Sequence, residues 1–359
     1  MTDTDARIAT FDDVTVVIVS YQAGDGLLAS VRAVQDLGEF AAVHVVDSGS
    51  TDGSPDRVRE AHPDVRVTRL DSNRGPCATR NRGISEAATP LVLCIDDDTR
   101  LDSGGLARLR DAIVADEARA LAGPCVCFGD RPDIVQYEGG VCHYAGLPHI
   151  RRHEEPAVAG PPVEVDVVTS GCLLARRDAV LAAGGFDESY FYLMEDVDLS
   201  LRLRIRGHRL VVVPEARCWN AGASEGLSLR TTAYPSRRVY LHARNRWLML
   251  FGAWEWWSLV VAWAPLLLFE CAWFAFAALS GHPFAYVRGK LAALVRLPAV
   301  IASRARLRGV RVVRDHELLK APPLTFTRAA LAQPAAGRMA RLLDHLMRLY
   351  HTMIRGVSP

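Results

Sequence analysis

Three consecutive aspartates, Asp96, Asp97 and Asp98, follow an uninterrupted apolar run of the kind that forms a buried strand. Their carboxylates would emerge together where the strand meets solvent, and their mutual repulsion is unfavourable unless water screens it or a cation neutralises it. Carboxylate oxygens suit Mg²⁺ or Mn²⁺, which commonly bridge phosphates. A solvated acidic turn is the simpler interpretation. An EF-hand loop is excluded, since its fifth and sixth positions would be Arg100 and Leu101.

A second acidic cluster, Glu195, Asp196 and Asp198, opens a predicted helix whose later residues include arginines. This charge order is the one that a helix dipole favours, so a well-charged helix start would explain it by itself. The preceding residues 186–194 are rich in aromatic side chains, which suit a polyhydroxylated substrate beside carboxylates. A carboxylate that lies at some distance from a metal-diphosphate site could also act as a general base and accept the proton of an attacking hydroxyl.

Strand and helix patterns alternate along the first hundred residues. Apolar runs predict strands at residues 14–20, 42–46, 65–70 and 91–96, separated by predicted helices at 27–37, 54–62 and 77–87. This alternation predicts an α/β fold with a Rossmann-like doubly wound parallel sheet, in which ligands bind at the carboxyl ends of the strands.

The following segment is less regular. Residues 121–162 are weakly periodic and rich in Gly, Pro and His, which indicates irregular strands and loops on an acceptor side. Strand character is expected again across residues 165–175. A short helix at 177–183 is then expected to stop at Gly184 and Gly185.

Composition and charge limit the classes of function. The chain has 359 residues, half of them apolar, and a net charge of +1, so there is no case for nucleic acid as a partner. Its eight cysteines lack zinc-type spacing, which indicates reduced thiols. The polar, acidic opening residues predict no secretory leader.

We expect one large domain with an appended helical region. The predicted divisions are an N-terminal tail (1–13), a catalytic domain (14–232) with a nucleotide-binding half (14–100) and an acceptor half (101–232), a hydrophobic and basic helical region (233–320), and a C-terminal helical tail (321–359).

Six segments in order resemble the motif series of family 2 glycosyltransferases of the GT-A fold. They are residues 16–21, 46–54, 73–83, 95–99, 184–188 and 195–199. With Arg244-Asn245-Arg246 downstream, the chain is similar to bacterial rhamnosyltransferase-like and galactofuranosyltransferase-like members. The resemblance implies an inverting enzyme that moves a sugar from a nucleotide-diphosphate sugar to an acceptor hydroxyl, in cell-envelope glycan, polysaccharide or glycolipid synthesis.

The resemblance also implies roles on the nucleotide side of the site. Asp47 would accept a hydrogen bond from the nucleotide base, and Ser20 and Tyr21 would form the floor of the base pocket. Arg80 would approach the diphosphate, a role that its planar donors suit.

A divalent cation, Mg²⁺ or Mn²⁺, is the implied cofactor. Asp98 would coordinate it, Asp96 would face the ribose and the metal shell, and Asp97 would contribute to nucleotide-sugar binding. Members of this group often carry a metal-binding His where this chain has Asn220. An amide oxygen is a weaker ligand than imidazole for softer ions, so the metal is either held more loosely or lacks a third protein ligand.

On the acceptor side, the resemblance implies that Asp196 is the general base. Glu195 and Asp187 would shape the acceptor site, to which Gly171 and Trp219 are also assigned. The acceptor would be a glycan or a lipid-linked saccharide. The sugar, the nucleotide, the linkage and any homo-oligomeric state are left open.

Two other classes of function compete with this reading. Gly24-Asp25-Gly26 follows the first strand and Asp47 lies about 20 residues on, which is the pattern of a nicotinamide-dependent oxidoreductase. Residues 20–23 separate the strand from the first glycine, however, whereas that fingerprint needs glycine in the tight turn itself. A catalytically inactive binding module is the other alternative, because Asn220 replaces an expected ligand.

The apolar stretch 247–279 contains only two charged residues, Glu255 and Glu270, and is too short for two spans of about 20 residues each. Basic residues lie on both sides of it, which disfavours a single crossing. We therefore expect a shallow helical hairpin hinged near Ala264-Pro265, holding the enzyme on the cytoplasmic leaflet of the membrane. A buried helical pair or a dimer interface is the alternative, since glutamates inside lipid are costly.

Overall fold

A computed structural model describes residues 9–220, 234–324 and 334–354. The chain forms two compact units, each taken by itself below. The first consists of Met1–Gly139, Arg152–Phe191 and His208–Gly222, and the second of Gly140–Arg151, Tyr192–Gly207 and Ala223–Pro359. The predicted N-terminal tail up to residue 8 and the predicted end of the catalytic domain from residue 221 lie outside the described residues. The predicted domain boundaries stay predictions.

The first unit is built on one mixed sheet with helices against it. Its strands, numbered along the whole chain, are β1 (Thr10–Ser20), β2 (Glu39–Asp47), β3 (Arg66–Arg69), β4 (Leu91–Asp96), β5 (Thr99–Leu101), β6 (Arg119–Phe128), β7 (Arg131–Tyr137), β10 (Val163–Val165), β11 (Cys172–Arg176) and β12 (Arg209–Asn220). Its helices are α1 (Gly26–Gln35), α2 (Ser54–Ala61), α3 (Gly75–Glu86), α4 (Gly105–Val114) and α5 (Arg177–Ala182), with a 3-10 turn at Glu188–Tyr190.

Each strand and helix predicted between residues 14 and 96 is present, although β1 begins four residues earlier, at Thr10. These elements form because their apolar residues recur at the spacing of a covered strand or of one helix face. In α1, Leu27, Val31 and Val34 are buried at helical spacing, against a core that includes Val16 and Ile18 of β1. The chain after α5 turns at Gly184 and Gly185 with positive φ, as predicted.

The parallel arrangement expected from the alternating strands holds as far as β4, and beyond β4 the sheet is mixed. The strands β3, β2, β1 and β4 lie side by side in that order, and each neighbouring pair is parallel. Next to β4, however, β11 runs antiparallel to both β4 and β6, whereas β12 is parallel to β6. The sheet as a whole is therefore mixed, and the sequence did not predict the strand directions in this half, because an apolar run does not reveal the direction of a buried strand.

The strand expected across residues 165–175 is also two separate strands. β10 ends at Val165 and pairs with β12, and β11 begins only at Cys172. Residues 166–171 between them lie outside any strand. The eight cysteines are thiols rather than disulfides, and all except Cys271 are buried.

The second unit is mostly helical. Its helices are α6 (Glu195–Ile205), α7 (Ser236–Ala253), α8 (Trp256–Val261), α9 (Trp263–Leu279), α10 (Pro283–Arg308), α11 (Asp315–Leu318) and α12 (Pro334–Ile354). Its strands β8 (Gly140–His143), β9 (Leu147–Ile150) and β13 (Leu319–Lys320) form a small sheet in which β8 is central.

A buried charge network ties α7, α9 and α10 together around Glu270. Its carboxylate accepts hydrogen bonds from Arg246, from Trp247 Nε1 at 2.6 Å, from Tyr286 and from Lys290 Nζ at 2.8 Å. Burial by itself would raise the pKa of Glu270, but the two cations lower it to about 2. Glu270, which would be costly in lipid, is thus ionised inside the protein, where neighbouring cations compensate its charge.

The apolar stretch 247–279 is divided among three helices rather than folded into one hairpin. The break nearest the predicted hinge is at Ala262, between α8 and α9, and Pro265 lies in the first turn of α9. Proline is tolerated there because its missing N–H would have no partner within the helix. This break lies two residues from the predicted hinge near Ala264-Pro265. Over the described residues, no helix has the length and apolar character needed to cross a membrane.

Candidate functional site

Three polar residues lie together at the carboxyl edge of the central strands. Ser20 ends β1, Asp47 ends β2 and Asp96 ends β4. The register pairs Ser20 with Asp47 and Val19 with Asp96, so the three residues occupy adjacent positions. Tyr21 follows Ser20 and is 47% exposed, which leaves its ring accessible at the same edge. This is the edge at which α/β sheets bind their ligands.

Asp47 is fully buried and held by the turn that follows it. Its Oδ2 accepts a hydrogen bond from the backbone N–H of Ser50 at 2.8 Å, and its Oδ1 accepts one from the Ser50 hydroxyl. Arg69 Nε lies 3.8 Å from Asp47 Oδ2. A carboxylate has about four acceptor sites, so Asp47 retains capacity for one more donor. Ser50 and Arg69 had no predicted role; Ser50 lies within a segment that carries the family resemblance.

Arg80 and Asp96, predicted for different parts of the donor, form an ion pair. Arg80 Nη2 lies 2.6 Å from Asp96 Oδ1, and the guanidinium group sits over the ring of Phe186. Arg80 is 2% exposed, so this charged side chain is fixed under the aspartate rather than presented to solvent. The pair orients one oxygen of Asp96 and supplies positive charge beneath the carboxylates.

Gly171, predicted for the acceptor side, lies directly against Asp96. Its carbonyl oxygen accepts a hydrogen bond from the backbone N–H of Asp96 at 2.9 Å. A Cβ atom added at Gly171 would lie 3.4 Å from Asp96 Oδ2. A side chain at this position would therefore occupy the space in front of the carboxylate.

The remaining two aspartates occupy the turn between β4 and β5. Asp97 Oδ2 accepts a hydrogen bond from the backbone N–H of Tyr21 at 3.3 Å, and Asp98 Oδ1 accepts one from the Thr99 hydroxyl at 3.1 Å. Burial and the neighbouring charge of Asp98 raise the pKa of Asp97 to about 7. A cation bound here would relieve the repulsion between these carboxylates, as the run of three aspartates in the sequence also indicated.

Asn220 is brought next to this turn by a strand pairing that the sequence did not reveal. The antiparallel register of β12 with β5 sets Asn220 opposite Thr99 and Trp219 opposite Arg100. The Asn220 amide nitrogen lies 3.4 Å from the Thr99 hydroxyl. The Thr99 hydroxyl thus lies within hydrogen-bond distance of both Asn220 and Asp98. The Trp219 indole instead donates to the carbonyl oxygen of Pro132 at 3.2 Å.

The donor set fits a hard cation with few protein ligands. No group of three or more His, Cys, Asp or Glu side chains within the described ranges is arranged to hold a metal ion. Mg²⁺ sites that carry substrate phosphates often use only one or two carboxylates and complete their coordination with phosphate and water. Asp98 with the Asn220 amide oxygen matches that smaller set.

Asp187 belongs to a loop fastened onto α3. Its carboxylate accepts from the backbone N–H of Ser189 at 2.8 Å and so caps the 3-10 turn. Asn81 exchanges two hydrogen bonds with the backbone of Phe186, at 2.7 and 2.8 Å. Glu188 is paired with Arg74 at 2.6 Å. Asn81 had no predicted role, although its position inside the segment 73–83 was a signal that could have found it.

The second acidic cluster starts α6, in the second unit. Asp196 accepts a hydrogen bond from the backbone N–H of Val197 at 2.8 Å, and Glu195 is buried. Asp198 is instead a structural residue, since its Oδ2 accepts from Nε and Nη2 of Arg202 at 2.8 and 2.6 Å. Of the three acids, Asp196 is the one that is only partly buried.

Comparisons with known proteins agree with this geometry. Residues 15–180 match the model of the family described as glycosyl transferase family 2. N-acetylglucosaminyl-diphospho-decaprenol L-rhamnosyltransferase of Mycobacterium tuberculosis is 29% identical, over 70% of this chain and 89% of the relative. Pre-mycofactocin glycosyltransferase of the same organism is 33% identical, over 57% of this chain and 42% of the relative.

Among solved structures, the crystal structure of GalNAc-T7 with UDP, GalNAc and Mn²⁺ has a TM-score of 0.54 at 16% identity. The match covers 84% of this chain and 59% of that chain, and it supports the fold alone. The mixed sheet and its carboxyl-edge aspartates define a GT-A-type α/β fold. The match to glycosyl transferase family 2 covers residues 15–180, and together with the relatives it supports glycosyl transfer as the activity.

Proposed function

We propose that this protein is an inverting, metal-assisted glycosyltransferase that moves a sugar from a nucleotide-diphosphate donor to a hydroxyl of a lipid-linked saccharide in envelope glycan synthesis. The observation that carries the proposal is the convergence of Asp47, Asp96 and Asp98 at one sheet edge within the matched family segment. The lipid-linked acceptor is supported by the M. tuberculosis relative, whose name specifies a diphospho-decaprenol saccharide.

Each donor-side residue has a proposed task that follows from its contacts. Asp47, fixed by Ser50, accepts a hydrogen bond from the nucleotide base, and the exposed Tyr21 offers its ring beside Ser20. Arg80 is too deeply buried to contact the diphosphate directly. We therefore propose that it acts on the diphosphate through its ion pair with Asp96. Asp97 and Asp96 complete the polar edge around the ribose.

A divalent cation would be held by Asp98 with Asn220, and Asp96 lies close enough in sequence to join its shell. When bound, Mg²⁺ or Mn²⁺ would stabilise negative charge on the departing nucleoside diphosphate. GalNAc-T7, which has the same fold, was crystallised with Mn²⁺ and UDP.

Acceptor activation is assigned to Asp196. Its carboxylate would take the proton of the acceptor hydroxyl as that oxygen attacks the anomeric carbon from the side opposite the leaving diphosphate, which inverts the configuration. Glu195, Asp187, Gly171 and Trp219 stay predictions for the acceptor side.

A binding screen tests the donor half of the proposal. Purified protein is heated with UDP-, GDP- and dTDP-sugars, each with and without Mn²⁺. We expect one nucleotide class to raise the unfolding temperature and Mn²⁺ to enlarge the shift, because a ligand at about 100 times its Kd adds about 2.7 kcal/mol of stability. If no nucleotide shifts the transition in either condition, the donor assignment is wrong.

For location, we propose that the second unit docks on an anionic membrane surface. The helix α10 exposes Phe284, Val287, Leu291 and Val295, which recur at helical spacing and form an apolar stripe. No acidic residue occurs between positions 271 and 314, and α10 also exposes arginines. They are Arg288, Arg296, Arg306 and Arg308. An apolar stripe with basic neighbours matches the interface of a membrane with anionic lipids.

Vesicle sedimentation checks this docking. We expect the protein to bind phosphatidylglycerol-containing vesicles more tightly than phosphatidylcholine vesicles, and the difference to shrink in high salt because salt screens exposed charges. The double variant Phe284→Asp and Val295→Asp should bind the vesicles more weakly by about tenfold or more, because two anchoring apolar side chains become charged. Leu349→Asp, an exposed apolar position on α12, is the matched control. Equal binding of both variants would contradict the proposed face.

A further inference from the structure

The segment that leads into α6 has an unusual backbone. Phe191, Leu193 and Met194 have φ values of 64°, 70° and 67°, although none of them is glycine. In this left-handed region the Cβ atom of an ordinary residue crowds the following carbonyl oxygen, so such residues persist only where surrounding contacts hold them. Strained backbone of this kind concentrates at functional sites. Here it immediately precedes Glu195 and Asp196.

One side chain of the same unit holds two consecutive carbonyl groups of this segment. Asn245 Nδ2 donates to the carbonyl oxygen of Tyr192 at 2.8 Å and to that of Leu193 at 2.7 Å. Asn245 lies on α7 and is fully buried. Its two amide hydrogens are therefore directed at the backbone of the strained segment rather than at solvent.

The orientation of this amide is fixed from its other side. Asn245 Oδ1 accepts a hydrogen bond from Arg244 Nε at 2.8 Å. Because an arginine can only donate, this contact determines which end of the amide is oxygen and leaves the nitrogen facing the two carbonyl groups. No other common side chain of this size supplies two donors and one acceptor in one plane. Aspartate would present oxygens to both carbonyls, and leucine would present none.

We propose that Asn245 is a positioning residue for catalysis, which fixes residues 192–194 and thereby the place of Asp196 at the start of α6. This inference rests on the proposed role of Asp196 as the base. The effect of Asn245 is indirect, because its side chain contacts the backbone that precedes Asp196 and does not contact the reacting atoms. A displacement of a catalytic group by about 1 Å costs up to about 100-fold in rate, so the expected effect is large.

The test is a double-mutant cycle on glycosyl transfer with Asn245→Ala and Asp196→Asn. We expect Asn245→Ala to lower kcat by about 10- to 100-fold while the KM for the nucleotide sugar changes less than about twofold. In the Asp196→Asn background the same change should cost almost nothing, because the group that Asn245 positions is already inactive. Asn245→Asp should be at least as impaired as Asn245→Ala.

A merely structural role predicts a different pattern. Met249→Ala, a fully buried change on the same helix, serves as the control for lost packing, and all variants are assayed below their unfolding midpoints. The inference is overturned if Asn245→Ala lowers kcat no more than Met249→Ala, or if it lowers the residual activity of Asp196→Asn by the same factor as that of the wild type. A failure of the proposed function is seen separately, as absence of transfer by the wild type or full activity of Asp196→Asn.

Discussion

Replacing Asp196 by asparagine is expected to lower kcat by about 10²–10⁴-fold, the usual contribution of a positioned general base. The amide cannot accept the proton of the acceptor hydroxyl, but its size and its acceptor oxygen for the Val197 N–H are retained. The KM for the nucleotide sugar should change little, because the donor binds to residues of the first unit. Initial rates over a range of donor concentrations separate the two constants.

Asp198→Asn is the matched control, since it makes the same substitution two residues along the same helix. Asp198 pairs with Arg202 and both side chains are largely buried, so the substitution breaks a buried ion pair. We expect that variant to lose about 3 kcal/mol or more of stability. Its kcat, measured below its unfolding midpoint, should stay near that of the wild type. If Asp198→Asn lost the activity and Asp196→Asn kept it, the base would be misassigned.

Asp98→Asn is expected to abolish the contribution of Mn²⁺ to donor binding and to lower kcat/KM by about 100-fold or more. The substitution removes the negative charge that faces the cation, and losing about 3 kcal/mol of stabilisation corresponds to a factor of about 100. Titration of nucleoside diphosphate with and without Mn²⁺ measures the effect directly. In the variant, the two titrations should give nearly the same Kd.

The control for this change is Asp111→Asn, on the exposed face of α4. It alters the net charge by the same amount but lies on a helix rather than at the carboxyl edge of the sheet. Its Mn²⁺ response should equal that of the wild type. Unchanged Mn²⁺ dependence in Asp98→Asn would show that the cation binds elsewhere.

Local patterns were sufficient to predict the nucleotide-binding half of the fold. The apolar runs that end at Ser20, Asp47 and Asp96 identify three strands and the edge at which their polar residues meet. Burial on both faces leaves a clear apolar signal, and a polar residue after such a run marks where the strand reaches solvent.

Contacts between distant segments were not predictable in the same way. The antiparallel insertion of β11 beside β4, and the pairing of β12 with β5 that sets Asn220 opposite Thr99, depend on chain direction and register. The pairing of Glu270 with Arg246 likewise joins two helices across 24 positions. Composition suggested that this glutamate would be exposed to lipid or buried, and only the fold identifies its partners.

The central claim is tested most directly by analysing the product of a complete reaction. The nucleotide sugar found in the binding screen is incubated with Mn²⁺, wild-type protein and a polyprenyl-diphosphate saccharide acceptor. We predict one nucleoside diphosphate released for each sugar attached, and an NMR spectrum in which the new linkage has the anomeric configuration opposite to that of the donor. Retained configuration would contradict the inverting mechanism, whereas tight donor binding without any transfer to saccharide acceptors would identify an inactive binding module.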